Sequence, residues 1–107
     1  MLFDRTKAKA ASDAAVADLE TQVRLHRDRM AGMWAAELLG LIGHAAHDYA
    51  RELAHPHDTD IAGDEDRMVG RLARDLRGKV APHEIRQKLA HLLHEARRQL
   101  LSDRRRP

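Results

Sequence analysis

Apolar positions along this chain recur at helical spacing. Val16, Leu19, Val23, His26, Met30, Met33 and Glu37 fall at alternating steps of three and four, and Trp34, Leu38 and Leu41 widen the stripe toward its end. The pattern predicts an amphipathic helix from Ser12 or earlier to about Ile42 that becomes more buried as it proceeds. Gly40 and Gly43 mark its C-terminal end. Two starts are possible. Ser12 is a good N-cap, with Asp13 placed where the helix dipole favours an acid, and Asp4 is an equally legal cap upstream. The stretch MLFDRTKAKAASDAAVADLE poses a problem of its own, because between Phe3 and Val16 its only apolar side chains are alanines. It favours helix yet has almost nothing to bury.

A short second helix is predicted over about His44 to Ala54, with Ala46, Tyr49, Ala50 and Leu53 facing inward. Residues 55–63, HPHDTDIAG, are turn-forming and predict a loop. Asp64, Glu65 and Asp66 supply a cap and an acidic first turn for a third helix, which turns Met68, Val69, Leu72 and Leu76 inward and stops at Arg77 and Gly78. A fourth helix begins near Pro82, a residue suited to a first helical position, and carries Ile85, Leu89, Leu92, Leu93, Ala96 and Leu100. It runs out in SDRRRP, a frayed end. Nothing reads as a strand, and the expectation is an all-α four-helix bundle with one long N-terminal helix and short loops.

Composition agrees with one thin-cored domain. Of the 46 apolar residues in 107, 18 are alanine. Three aromatics are too few for a β-sandwich or barrel. With no cysteine, disulfides and thiol catalysis are excluded. No apolar run reaches membrane-spanning length and no secretory signal opens the chain, so a cytoplasmic protein is the default. The net charge of +2 is unevenly spread: residues 1–42 are neutral, residues 43–77 carry −3 and residues 78–107 carry +5. A basic last helix beside an acidic middle predicts that it packs near the third helix or meets an acidic partner.

Chemistry-bearing residues are present without a catalytic arrangement. His44 with His47, and His91 with His94, have helical i, i+3 spacing that could hold zinc with a third ligand. Solvated surface histidines account for them more simply. The cluster GDED over residues 63–66 lacks the pattern of a calcium loop and reads as helix-start acids. The RRR of residues 104–106 has no accompanying aromatics and reads as a solvated tail rather than a nucleic-acid site. No phosphate-binding glycine loop and no nucleophile paired with a base is visible, so neither an enzyme nor a cofactor or metal site is expected.

Two segments carry a family resemblance. In RMAGMWAAELLGLIGHAAHDYARE, the run Met33, Trp34, Ala35, Ala36, Glu37, Leu38, Leu39, Gly40 and Leu41 closely resembles the zeta subunit, the small ATPase inhibitor of the alphaproteobacterial F-type ATP synthase. In GDEDRMVGRLARDLRGKVAPHEIRQKLAHLL, residues Gly63, Asp64, Asp66, Ile85, Arg86 and Lys88 carry the likeness, which spans about residues 29–101. The resemblance implies a four-helix protein, peripheral to the membrane-bound synthase, that binds its catalytic head of alpha, beta and gamma subunits. An N-terminal segment would enter a catalytic α/β interface beside the rotor and block ATP hydrolysis, while the bundle anchors outside. Phe3, Asp4, Arg5, Lys7 and Ala8 fit the family's opening if one residue is missing between Asp4 and Arg5. The family's later N-terminal aromatics are replaced here by KAKAASDAAVA.

By that resemblance Leu2, Phe3, Asp4, Arg5 and Lys7 form the inserted tip: Leu2 and Phe3 fill an apolar recess, and Arg5 and Lys7 pair with acids of the partner. Trp34, Leu38, Leu41, Leu53, Leu72, Leu89 and Leu92 are expected in the core. The division that follows is a flexible or conditionally helical arm over residues 1–11, a four-helix domain over 12–103 and a frayed basic tail over 104–107. The alternative keeps the fold without inhibition, as a synthase-associated or nucleotide-binding helical module. No nucleic-acid partner and no membrane insertion are expected.

Overall fold

The computed structural model describes residues 5–54 and 61–105, excepting the side chains of residues 5–8, 11, 61 and 62. Four helices follow one another: α1 (Arg5–Leu38), α2 (Gly43–Leu53), α3 (Ile61–Asp75) and α4 (Pro82–Arg105). No strand occurs among the described residues. α1 packs on α2 and on α4, and α3 packs on α4. The α3–α4 contact that the charge distribution anticipated includes an ion pair, Arg86 to Asp66 at 2.9 Å.

α1 runs unbroken through Ser12, so its start is upstream of that candidate cap; Asp4, the other candidate, lies outside the described residues. Its end comes at Leu38, earlier than the expected Ile42. Gly40 adopts φ +76°. That left-handed step lets the Leu41 N–H reach back to the Ala36 carbonyl and the Gly40 N–H to that of Glu37, at 2.9 and 3.1 Å. These two bonds close the helix in a Schellman motif. Gly43 then takes φ +59° and turns the chain into α2. α3 closes by the same pair of bonds, Gly78 to Ala73 and Arg77 to Arg74. There the left-handed position falls on Arg77, at φ +52°, one residue before the glycine.

α3 begins at Ile61, which shortens the expected loop and carries Gly63 into the helix. Asp64 therefore falls in the first turn, which is acidic as expected, while Glu65 and Asp66 lie further inside the helix and none of the three is its cap. α4 begins at Pro82 as expected and continues to Arg105; Arg106 and Pro107 lie outside the described residues.

The core is built from Leu53, Met68, Val69, Leu72, Leu76, Ile85, Leu89 and Leu92 with Ala31 and Ala35. Three members of the predicted α1 stripe are corrected: Val16 is 61% exposed, Leu38 42% and Met33 37%. Trp34 and Leu41, expected in the core, are half-buried. Trp34 packs against the core edge with the Lys88 ammonium 5.7 Å from its ring centre. Val23 is buried as expected, but beyond it the buried face of α1 is instead Arg27, Asp28, Ala31, Gly32, Ala35 and Ala36. This is a rotation of about a third of a turn at 100° per residue.

The cause lies in the partner helix. α2 presents the buried alanines Ala46 and Ala50, and small residues on both sides let the backbones approach closely. A Cβ added at Gly32 would lie 2.5 Å from the Ala50 Cα. With no side chain at Gly32 the two backbones come close enough for dispersion contact along the seam, and the large α1 side chains are left at its rim.

Candidate functional site

α1 is far longer than the body it packs on. Its 34 residues span about 51 Å at 1.5 Å per residue. Lys9, Ala10 and every residue from Ser12 to Asp18 are exposed. Among the described residues Leu19 and Glu20 are the first that the body partly covers, and Val23 is the first fully buried. The N-terminal part of α1 is therefore an arm held by intrahelical bonds, with the Thr21 hydroxyl donating to the Ala17 carbonyl and Gln22 to Asp18. Of the sequence-predicted tip, Leu2, Phe3 and Asp4 lie outside the described residues. Arg5 and Lys7 fall in the first turn of α1, their side chains outside the described set. That turn contains no acid, so two cations share the positive end of the helix dipole.

The root of the arm is gripped by α4. Arg97 donates two hydrogen bonds to the Glu20 carboxylate, at 2.9 and 3.3 Å. These bonds hold the Glu20 carboxyl below its ordinary range. His26 Nε2 meets Gln99 Oε1 at 2.8 Å. Just beyond lies a pair that sequence reasoning missed: Arg27 and Asp28, both nearly inaccessible, joined at 2.9 Å. Burial pushes the Asp28 carboxyl up despite the Arg27 guanidinium beside it, and Asp64 pushes the same way while Arg67 opposes. Nothing in the local pattern marks these two residues, since an Arg-Asp dipeptide in a helix is ordinarily solvated.

A second polar group ties α2 to α3. The Tyr49 hydroxyl donates to Asp75 at 2.8 Å, Arg71 donates to the same carboxylate oxygen at 3.2 Å, and Arg71 also pairs with Glu52 at 3.3 Å. Desolvation, reinforced by the Asp75 carboxylate, raises the Tyr49 hydroxyl far above its ordinary range. Burial works to raise Asp75, but the bonds from Tyr49 and Arg71 overcome it and leave the carboxyl lowered.

The acidic cluster of α3 is engaged rather than open. Asp64 accepts twice from Arg67, at 2.9 and 3.2 Å, and Asp66 pairs with Arg86. His44, His47, His91 and His94 are exposed. No three metal-ligating groups converge among the described residues. Two shallow grooves of about 450 and 470 Å³ flank Trp34. No helix of the described residues is long and apolar enough to cross a membrane.

The small helical body packs on one end of α1 and leaves Lys9, Ala10 and residues 12–18 exposed. A family model described as ATPase inhibitor subunit zeta matches residues 1–99, and the chain belongs to that family. The match takes in the whole exposed arm as well as the bundle. No curated protein and no solved structure matches the chain significantly.

Proposed function

We propose that the protein inhibits ATP hydrolysis by an F-type ATP synthase, with the N-terminal arm as the inhibitory element. The observation that carries this is an arm exposed at Lys9, at Ala10 and from Ser12 to Asp18 within a chain whose family is an ATPase inhibitor subunit. In this reading residues 1–11 enter a catalytic α/β interface beside the rotor. Leu2 and Phe3 fill an apolar recess, Asp4 caps the inserted helix, and Arg5 and Lys7 pair with carboxylates of the partner. Two cations at the dipole's positive end weaken an isolated helix. Acids of a surrounding partner remove that penalty, so the tip gains helix on insertion. Short unpacked helices are marginal in water, and a partner that supplies the packing supplies the stability. The bundle holds the tip at high local concentration without any catalytic residue of its own. The protein acts in the cytoplasm, peripheral to the membrane-bound synthase.

The test compares ATP hydrolysis by the cognate synthase in the presence of full-length protein and of a form lacking residues 1–11. Inhibition by the first and none by the second is expected. Equal effects of the two would sink the insertion model. If neither inhibits while the full-length protein still captures the synthase, the fold serves a non-inhibitory binding role.

A further inference from the structure

The bare arm meets the body at one narrow place, and the contacts there are polar and specific. Val23 is fully buried, and so is Ala96 of α4. Glu20 lies three residues before Val23 and His26 three residues after it, about 9 Å apart along α1. Their partners Arg97 and Gln99 leave α4 about 200° apart around its axis. The two side-chain contacts therefore grip α1 ahead of and behind its first buried residue, from different flanks of α4. An apolar contact alone tolerates sliding and tilt, because burial is non-directional. A two-pronged guanidinium–carboxylate bond does not, because its geometry is planar and fixed.

From these observations we infer that Glu20, Arg97, His26 and Gln99 form a clasp that aims the arm, making them positioning residues for the inhibitory segment. This rests on the proposed function only where hydrolysis is the readout. The lever is long. Arg5 lies fifteen residues from Glu20, which is about 22 Å of helix, so a 20° change of direction at the root displaces the start of α1 by about 8 Å. A tip that must find one interface loses orientation when the root loosens, and preorganisation of a binding segment is a main determinant of its affinity. The side chains of Glu20 and Arg97 are 33% and 40% exposed, so the pair contributes direction more than stability.

The absence of cysteine makes the test direct. Spin labels are placed on cysteines introduced at the exposed positions Ala15, on the arm, and Ala45, on α2. The label–label distance distribution is measured in the full chain for the parent, Arg97→Glu, Glu20→Arg and the double swap. The parent is expected to give one narrow distribution. Each single reversal is expected to broaden it at least about twofold and to raise the half-maximal inhibitory concentration about tenfold, with the swap restoring both. Circular dichroism and Tm identify any variant that has simply unfolded, and Gln99→Leu serves as the milder probe if one has. Unchanged distributions in folded single variants overturn the inference. So do distributions that broaden while inhibition stays at the parent level. If the parent itself does not inhibit, the proposed function fails, and the distances alone still decide whether the clasp aims the arm.

Discussion

Tyr49 shows how far one side chain can be moved by its surroundings. It is half-buried and bonded to a carboxylate that Arg71 also holds, so its neutral form is favoured in the fold. An acid whose folded pKa is raised contributes stability that is fully present below the ordinary value of 10 and is lost as pH rises through the folded value. Because the chain has one tyrosine, absorbance at 295 nm reports it alone. In the native protein no phenolate should appear until well above pH 10, and in guanidinium chloride the titration should return to about 10. Asp75 works in the opposite direction. Its carboxyl is lowered below 3.8, so its contribution is present above that pH and is lost as pH falls through the folded value. The Arg27–Asp28 pair is costly if broken from one side. Asp28→Ala strands a buried guanidinium and should cost about 3–5 kcal/mol in urea unfolding. Replacing both, as Arg27→Met with Asp28→Leu, should recover most of that loss.

At the scale of elements, two positions carry clear expectations. Gly32 faces Ala50 with no room for a methyl group. Gly32→Ala would improve helix propensity in isolation, yet here it forces α1 and α2 apart and should destabilise by about 1–3 kcal/mol. Each kcal/mol lowers Tm by roughly 4–8 °C in a domain of this size. Arg77 occupies the left-handed position that closes α3. A side chain there is strained, so Arg77→Gly should stabilise by about 0.5–1 kcal/mol, read as a raised urea midpoint. The pair of substitutions separates two uses of glycine, close approach in the first and backbone freedom in the second.

The whole molecule is elongated, measuring 62 × 33 × 21 Å with a Cα radius of gyration of 16.8 Å. A compact chain of this length has about 13 Å. Much of the excess comes from the arm, which projects from the body on the N-terminal side of Leu19. Removing residues 1–11 should therefore reduce the radius of gyration in solution scattering while leaving Tm within about 2 °C, because Val23, the first buried residue among those described, lies well beyond the cut. Stability, held by the bundle, and the inhibition proposed for the arm should then be separable properties of one chain.

Much of this was legible in the residues. The 3–4 spacing of Ile85, Leu89, Leu92 and Ala96, the inward set of Met68, Val69, Leu72 and Leu76, and Pro82 as a helix start all stand in the structure. Four helices, their order and the buried faces of α3 and α4 could be read from local pattern, because those faces use large apolar residues whose periodicity is local information. It also carried the family, through a run of residues around Trp34. Tertiary structure decided the rest. Which face α1 buries depends on alanines that only count once Ala46 and Ala50 are opposite them. Whether Arg27 and Asp28 are solvated or sealed depends on the helices that cover them. The clasp joins residues 77 and 73 apart in the chain. No spacing rule reaches across such a gap, since these side chains meet only after the helices between them have packed.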